Sequence, residues 1–232
     1  MQEVVGASHR DFARVRELVA RQPALAKASW DWGFGDWETA LGAACHVGQK
    51  DIARFLIEHG AAPTIFSAVM LGQLEVARAM VVASPGLQRM SGPHGITLLA
   101  HARAGGPSNG AVVEWLTSLG DADVRPAFIP VSAEDRRLIA GTYRADDAAG
   151  DVWIVDEARE QLGLMRTGRS RQVLWCVEAD ASGWTFYPSG APAVRIKIHR
   201  AGSRADSLTV ADPEVVLTAQ RAGTQPLALA LR

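Results

Sequence analysis

The sequence contains few cysteines and no excess of positive charge, and each of these two absences argues against a class of protein. The 232 residues include only two cysteines, Cys45 and Cys176, so the sequence lacks the disulfide framework of a small secreted protein. Lysine and arginine number 24 against 25 aspartates and glutamates, which gives a net charge of −1. Because nucleic acids and anionic membranes attract an excess of positive charge, we expect neither as a partner.

Long hydrophobic runs are also lacking. No stretch approaches the ~20 apolar residues that span a bilayer, and the segment Met1 to Gly6 has neither the basic start nor the apolar run of a secretory signal. We therefore expect a cytoplasmic protein. We also expect it to be bacterial. Hydrophobic residues make up 48% of the chain and charged residues 21%, which predicts a folded protein, and the length suits two cores.

A helical repeat occupies the first 125 residues. Its clearest copy, 39–61, has a first helix with small inward-facing residues, a turn at Gly48 and a second helix with one apolar stripe. This copy and the copies before and after it carry equivalent apolar positions at Leu18, Leu56, Met80 and Leu116. These positions are spaced by 38, 24 and 36 residues. The uneven spacing predicts that the third copy has lost its hairpin and that the second has an enlarged one at 30–37.

The repeat resembles the ankyrin repeat, which combines a Gly-x-Thr turn, a Pro-Leu-His helix start, an Ala-x-x-x-Gly turn and a Leu-Leu second helix. The resemblance covers about four copies over roughly residues 1–123. It implies an α-helical solenoid with projecting hairpins, called fingers, and a concave recognition face. A protein partner or a small molecule on that face is the implied ligand.

From Ile139 onward the apolar residues alternate with a period of two, which is typical of β-strands. Glycine, proline and aspartate interrupt the alternation at short intervals. The predicted strands are 140–145, 151–156, 161–166, 172–178, 183–187, 193–199, 206–210 and 214–220. Eight short strands without intervening helices predict an antiparallel up-and-down meander that forms a closed or nearly closed barrel.

The segment Leu-Ile-Ala-Gly-Thr-Tyr-Arg at 138–144 resembles the start of the lipocalin-like domain found behind β-lactamase-type serine hydrolases. Ser132 and Asp135 would cap the short helix that precedes it. The resemblance brings no catalytic residue, since the hydrolase domain with its Ser-x-x-Lys is absent. The predicted fold class is therefore α+β multidomain. Its parts are an ankyrin-repeat domain at 1–125, a linker at 126–136, a lipocalin-like antiparallel β domain at 137–224 and a tail at 225–232.

Four aromatic residues lie within the enlarged finger. Exposed rings there would anchor a partner or stack against a flat ligand; alternatively, they fold back to fill the gap left by the missing third finger. The predicted binding residues are Trp30, Trp32, Phe34, Trp37, Glu38, His46, Met70 and His94.

Histidines provide the candidates for chemistry. His46 is predicted to face the concave side and His94 to lie in the next finger, whereas His101 aligns with a position buried between repeats. With an acidic finger residue, either of the first two could form an acid–base pair. The candidate catalytic residues are His46, His94, His101, Asp31 and Asp36. No His-x-x-x-His or Cys-x-x-Cys spacing occurs, so we expect no metal and no cofactor.

Two functions follow from these patterns. The preferred one is a recognition protein that binds a partner or ligand on the concave face through the aromatic finger. The alternative is a small-molecule lyase, isomerase or hydrolase that uses His/Asp acid–base chemistry in a groove between the second and fourth repeats. Fold alone does not decide between them, because function depends on the site.

Overall fold

The protein consists of two units, residues 1–126 and 127–232. The computed structural model describes residues 1–145, 152–166, 169–212 and 215–222. The predicted tail at 225–232 lies outside these residues. In the part of the chain that is described, no helix has the length and apolar character needed to cross a membrane.

Short helices make up most of the first unit. They are α1 (Gln2–Ala7), α2 (Phe12–Arg21), α3 (Ala40–His46), α4 (Lys50–Glu58), α5 (Ile65–Met70), α6 (Leu74–Ala83), α7 (Leu98–Ala104) and α8 (Gly110–Leu119). Short 3₁₀ turns lie at Pro23–Lys27, Leu87–Arg89, Pro93–Gly95 and Pro107–Asn109.

The pair α3 and α4 shows how the sequence determines this arrangement. The Thr39 hydroxyl accepts a hydrogen bond from the Gly42 amide at 2.9 Å and so caps the start of α3. Gly48 has φ +76°, a left-handed conformation that favours glycine, and it reverses the chain between the helices. Leu41 and Leu56 are both buried in the core between the two helices.

The predicted difference between the fingers is visible in the strands. Strands β1 (Ser29–Asp31) and β2 (Trp37–Thr39) pair antiparallel and form the enlarged finger. By contrast, the chain passes from Ala61 almost directly into α5, where Thr64 and Ser67 form a capping box. The next finger is small: a single bridge joins Ser91 to Thr97 around the 3₁₀ turn.

A buried amide joins the ends of three helices. Asn109 is 1% exposed, and its Nδ2 donates to the carbonyl oxygens of Val69, Met70 and Ala102 at 2.8, 2.7 and 3.2 Å. The Met70 side chain is completely buried in the apolar core, next to the hydrogen bonds of Asn109. Met70 thus packs inside the unit and does not reach a surface, which removes it from the predicted binding residues.

The second unit is a closed antiparallel barrel. Its strands are β3 (Gly141–Ala145), β4 (Val152–Ala158), β5 (Gln161–Arg166), β6 (Gln172–Asp180), β7 (Gly183–Pro188), β8 (Arg195–Ala201), β9 (Arg204–Asp212) and β10 (Val215–Arg221). Each strand pairs with its neighbour in sequence, and β10 pairs with β3 to close the barrel. The predicted eight-stranded meander is confirmed, with closure.

A short helix, α9 (Ala133–Ile139), precedes the barrel and begins inside the segment predicted as a linker. The Ser132 hydroxyl caps it by accepting a hydrogen bond from the Asp135 amide at 3.0 Å, as predicted. At its other end, the Tyr143 hydroxyl donates to the Ile139 carbonyl at 2.6 Å. The α9 helix is thereby fastened to the first strand of the barrel.

Aromatic residues fill much of the barrel unit. Trp153, Trp184, Phe186 and Tyr187 are all buried. A barrel of eight strands is just wide enough for its own side chains to occupy the interior. These residues therefore belong to the buried core of the unit, together with aliphatic side chains such as Leu164 and Ile196.

We predict that Gly48 is required for two reasons: its backbone is left-handed, and a neighbouring backbone oxygen leaves no space for a side chain. An added Cβ would lie 2.0 Å from the Ala104 carbonyl oxygen, whereas at Gly120, with φ +78°, nothing lies within 4 Å. Gly120→Ala should cost about 1 kcal/mol of unfolding free energy from its left-handed backbone, and Gly48→Ala at least about 2 kcal/mol more from the clash. Urea unfolding followed by far-UV circular dichroism measures both, and equal losses would contradict the prediction.

Candidate functional site

A buried carboxylate lies at the base of the enlarged finger. Alternation along β2 exposes Trp37 and Thr39 and turns Glu38 inward, where its side chain is 0% exposed. Oε2 of Glu38 accepts a hydrogen bond from the indole nitrogen of Trp32 at 2.7 Å. Since a buried charge is costly without partners, the remaining contacts of Glu38 define the site.

Three imidazoles surround Glu38, each from a different part of the helical unit. Nε2 of His46 lies 2.8 Å from Oε1, Nε2 of His94 lies 3.5 Å from Oε1, and Nε2 of His9 lies 3.6 Å from Oε2. His46 is at the end of α3, His9 follows α1, and His94 is in the next finger. We call these four residues, His9, Glu38, His46 and His94, the His–Glu cluster.

The cluster is open to solvent on one side. The side chains of His9 and His94 are 26% and 28% exposed, whereas that of His46 is 9% exposed. Nε2 of His9 and Nε2 of His46 are 3.1 Å apart. The imidazole nitrogens therefore meet above a buried carboxylate, and two of the three rings are partly exposed to solvent.

Asp36 holds His94 in place. Its carboxylate accepts from the His94 backbone amide at 2.9 Å and from Nδ1 of the same residue at 2.7 Å. His94 has φ 59°, a left-handed conformation that is uncommon outside glycine. The Asp36 side chain is 2% exposed, so it stabilises this backbone from the interior and directs Nε2 of His94 towards Glu38.

The charges within the site shift two pKa values. Burial raises the pKa of Glu38, but the nearby His46 and His94 imidazoles outweigh burial and lower this pKa to about 2. Burial likewise lowers the pKa of His94, but Asp36 and Glu38 outweigh it and raise this pKa to about 9. The site thus favours an ionised Glu38 with positive charge above it.

His101 lies beneath the cluster. It is completely buried, its ring packs 4.7 Å from that of Phe66 and 6.4 Å from that of His46, and Nδ1 donates to the Thr97 carbonyl at 2.9 Å. Burial lowers the pKa of His101 to about 4. Among the described residues, none offers a hydrogen bond to its Nε2.

The finger aromatics divide into two groups. Trp30 and Trp32 are half-buried and pack against the helical core, and the Trp32 ring also lies 6.5 Å from that of His9 and 6.3 Å from that of His94. Trp37 is 62% exposed. Phe34 is partly exposed near the tip of the finger, with φ 59°. Among the four aromatic residues of the finger, Trp37 is the one with the largest exposed fraction.

Of the predicted site residues, the structure brings together Trp32, Asp36, Glu38, His46 and His94, with His101 beneath them, and it leaves the exposed Trp37 and the buried Met70 outside this group. Asp31 accepts a hydrogen bond from the Gly33 amide at 2.9 Å and so stabilises the finger turn. The sequence reasoning missed His9. A repeat alignment could have found it, because His9 and His46 are 37 residues apart, almost the 38 residues between Leu18 and Leu56.

Comparison with known proteins gives one result. The ankyrin repeat family model matches residues 36–68, from Asp36 of the enlarged finger to the middle of α5. Neither the comparison with curated proteins nor the comparison with solved structures gave a match. The match supports one ankyrin repeat in the helical unit, and this repeat contains Asp36, Glu38 and His46.

We predict that His101 makes the helical unit sensitive to acid. The pKa of His101 is 6.5 in the unfolded protein and about 4 in the folded protein. The contribution of the neutral imidazole to the free energy of unfolding is therefore complete above pH 6.5 and is lost as the pH falls towards 4. Between pH 7 and pH 4.5 the wild type should lose about 2 kcal/mol more unfolding free energy than His101→Leu. Urea unfolding at the two pH values measures the difference, and parallel losses would contradict the prediction.

Proposed function

We propose that the helical unit binds a small molecule at the His–Glu cluster and acts on it by proton transfer. The observation that carries the proposal is the convergence of three imidazole nitrogens on one buried carboxylate, all within 4.8 Å of one another. A surface that only recognises a protein has no need of such a cluster, since burying Glu38 is costly. Groups of this kind concentrate at functional sites.

The chemistry that suits this arrangement is acid–base catalysis. Asp36 accepts from Nδ1 of His94, as the orienting carboxylate does in known acid–base pairs, and so leaves Nε2 facing the site. His46 provides a second imidazole 5.4 Å away, measured between ring centroids. A lyase, isomerase or hydrolase reaction on a small substrate would use two such groups as acid and base.

The proposal includes the architecture around the site. We propose that the helical unit is a solenoid of about four ankyrin-like repeats, whose shortened third repeat leaves room beside the enlarged finger. The match at residues 36–68 and the buried helix pair α3 and α4 support it. We also propose that the barrel is a lipocalin-like domain, which the strand order and the Ser132-capped helix support.

A second candidate function, partner recognition, is favoured by Trp37. This indole is 62% exposed, although it lies between two buried acidic residues on the same finger. Exposed tryptophans are frequent anchors in protein interfaces. Ankyrin repeats typically mediate protein interactions, and the matched repeat begins beside Trp37.

The test is purification of the tagged full-length protein from its native cells, followed by mass spectrometry of bound small molecules and bound proteins. We expect a small molecule to co-purify with the wild type and to be lost from His46→Ala. Trp37→Ala should retain it, because that side chain points away from Glu38 on the strand. His59→Ala is the matched control, since His59 is an exposed histidine on the same unit.

Two results would overturn the primary proposal. One is a small molecule that His46→Ala still retains, because binding would then not involve the cluster. The other is a protein partner alone, lost from Trp37→Ala and retained by His46→Ala, which would support the recognition function instead.

A further inference from the structure

Two histidines of the His–Glu cluster are held through Nδ1 by groups outside the cluster. Nδ1 of His9 contacts the Gly6 carbonyl at 3.1 Å, and Nδ1 of His94 contacts Asp36 at 2.7 Å. Because a carbonyl and a carboxylate accept hydrogen bonds only, each Nδ1 carries the proton. Nε2 of each ring therefore faces Glu38 at the centre of the cluster, and a metal ion that bound there would displace any proton from it.

Glu38 contributes a carboxylate oxygen to the same point. Its Oε2 accepts a hydrogen bond from Trp32, and its buried Oε1 faces the histidines. Nε2 of His46 lies only 2.8 Å from Oε1, so a proton or a cation lies between these two atoms. A single proton joins only two of the four atoms, whereas one cation can contact all four.

We propose that the His–Glu cluster binds one divalent transition-metal ion, Zn²⁺ in the first instance, through Nε2 of His9, His46 and His94 and Oε1 of Glu38. This inference rests on the site of the proposed function and replaces the roles given there to His46 and His94. With the metal bound, their Nε2 atoms are ligands, and the ion, on taking up the small molecule as a fifth ligand, would supply the acid chemistry instead. It also departs from the expectation of no metal, which was based on sequence spacing alone. Three imidazoles and one carboxylate form a ligand set that Zn²⁺ favours.

The spacing of the four atoms suits such an ion. Ligand atoms bound at about 2.0–2.1 Å around a tetrahedral Zn²⁺ lie about 3.3 Å from one another. In the cluster, Oε1 of Glu38 is 2.8 Å from His46 and 3.5 Å from His94, and the nitrogens of His46 and His9 are 3.1 Å apart. The ligand atoms of the four residues all lie within 4.8 Å of one another, so side-chain shifts that shorten the longer separations would place them at bonding distance from one ion.

The surrounding residues hold the ligands as metal-binding side chains are usually held. Histidine ligands commonly donate their second nitrogen to a carboxylate or a backbone carbonyl, which fixes the ring and its tautomer. Asp36 does this for His94 and the Gly6 carbonyl does it for His9. Trp32 occupies Oε2 of Glu38, which leaves Oε1 for the ion.

Metal titration of the full-length protein tests the proposal. The protein is treated with a chelator, dialysed and titrated with Zn²⁺ in competition with a chromophoric chelator. We expect one equivalent to bind with a Kd of about 1 μM or tighter, and His46→Gln or Glu38→Gln to weaken binding about 100-fold or more, because each removes a ligand. Asp36→Asn, which leaves all four ligands in place, should weaken it about 10- to 100-fold.

His59→Gln is the matched control and should bind Zn²⁺ as the wild type does. Co²⁺ provides a second readout, because four-coordinate Co²⁺ absorbs visible light strongly, and this absorption should disappear in His46→Gln. Circular dichroism checks that each variant folds. If His46→Gln does not fold, His9→Gln replaces it, since His9 is the ligand at a partly exposed position.

Absence of stoichiometric Zn²⁺ binding at micromolar concentration would overturn the metal proposal, as would wild-type affinity in both Glu38→Gln and His9→Gln. Retention of a co-purified small molecule by the chelator-treated protein, together with absence of Zn²⁺ binding, would remove the metal and leave the proposed function standing. Zn²⁺ binding, together with a co-purified protein partner alone that is lost from Trp37→Ala and retained by His46→Ala, would do the reverse.

Discussion

The burial of the Glu38 carboxylate is the constraint on which the helical unit depends. An ionised carboxylate taken out of water loses several kcal/mol of solvation, and close partners must offset that loss. Trp32 donates a hydrogen bond to the carboxylate from within the finger, and the His46 and His94 imidazoles favour its ionised form. Because His46 belongs to α3 and His94 to the next finger, the same carboxylate connects neighbouring parts of the unit.

Local patterns were sufficient to predict much of the fold. All eight barrel strands were predicted within a few residues, because alternation and turn residues such as Gly183 and Gly202 act over short distances. The helix pair around Gly48 was predicted for the same reason, since a left-handed turn between two apolar stripes has a clear sequence signature. Closure of the barrel was predicted as one of two alternatives, and the pairing of β3 with β10 selects it.

The site itself was predicted in part only. His46, His94, Asp36 and Glu38 were all candidates, but their grouping depends on how α1, α3 and two fingers pack, and no short motif encodes that. His9 was missed because it lies in the most divergent repeat, where the helix pattern is weak. The orientations of Trp30 and Trp32 also depend on packing, so the sequence left their exposure open and the structure turns both towards the core.

The order in which the cluster residues occur along the chain has a consequence for synthesis. Contacts between distant residues form only after the intervening chain is available. On the ribosome, Glu38 and His46 emerge before His94. Until His94 has been translated, the nascent chain contains Glu38 with two of its three imidazoles, so the carboxylate obtains its full set of partners only when the later finger is complete.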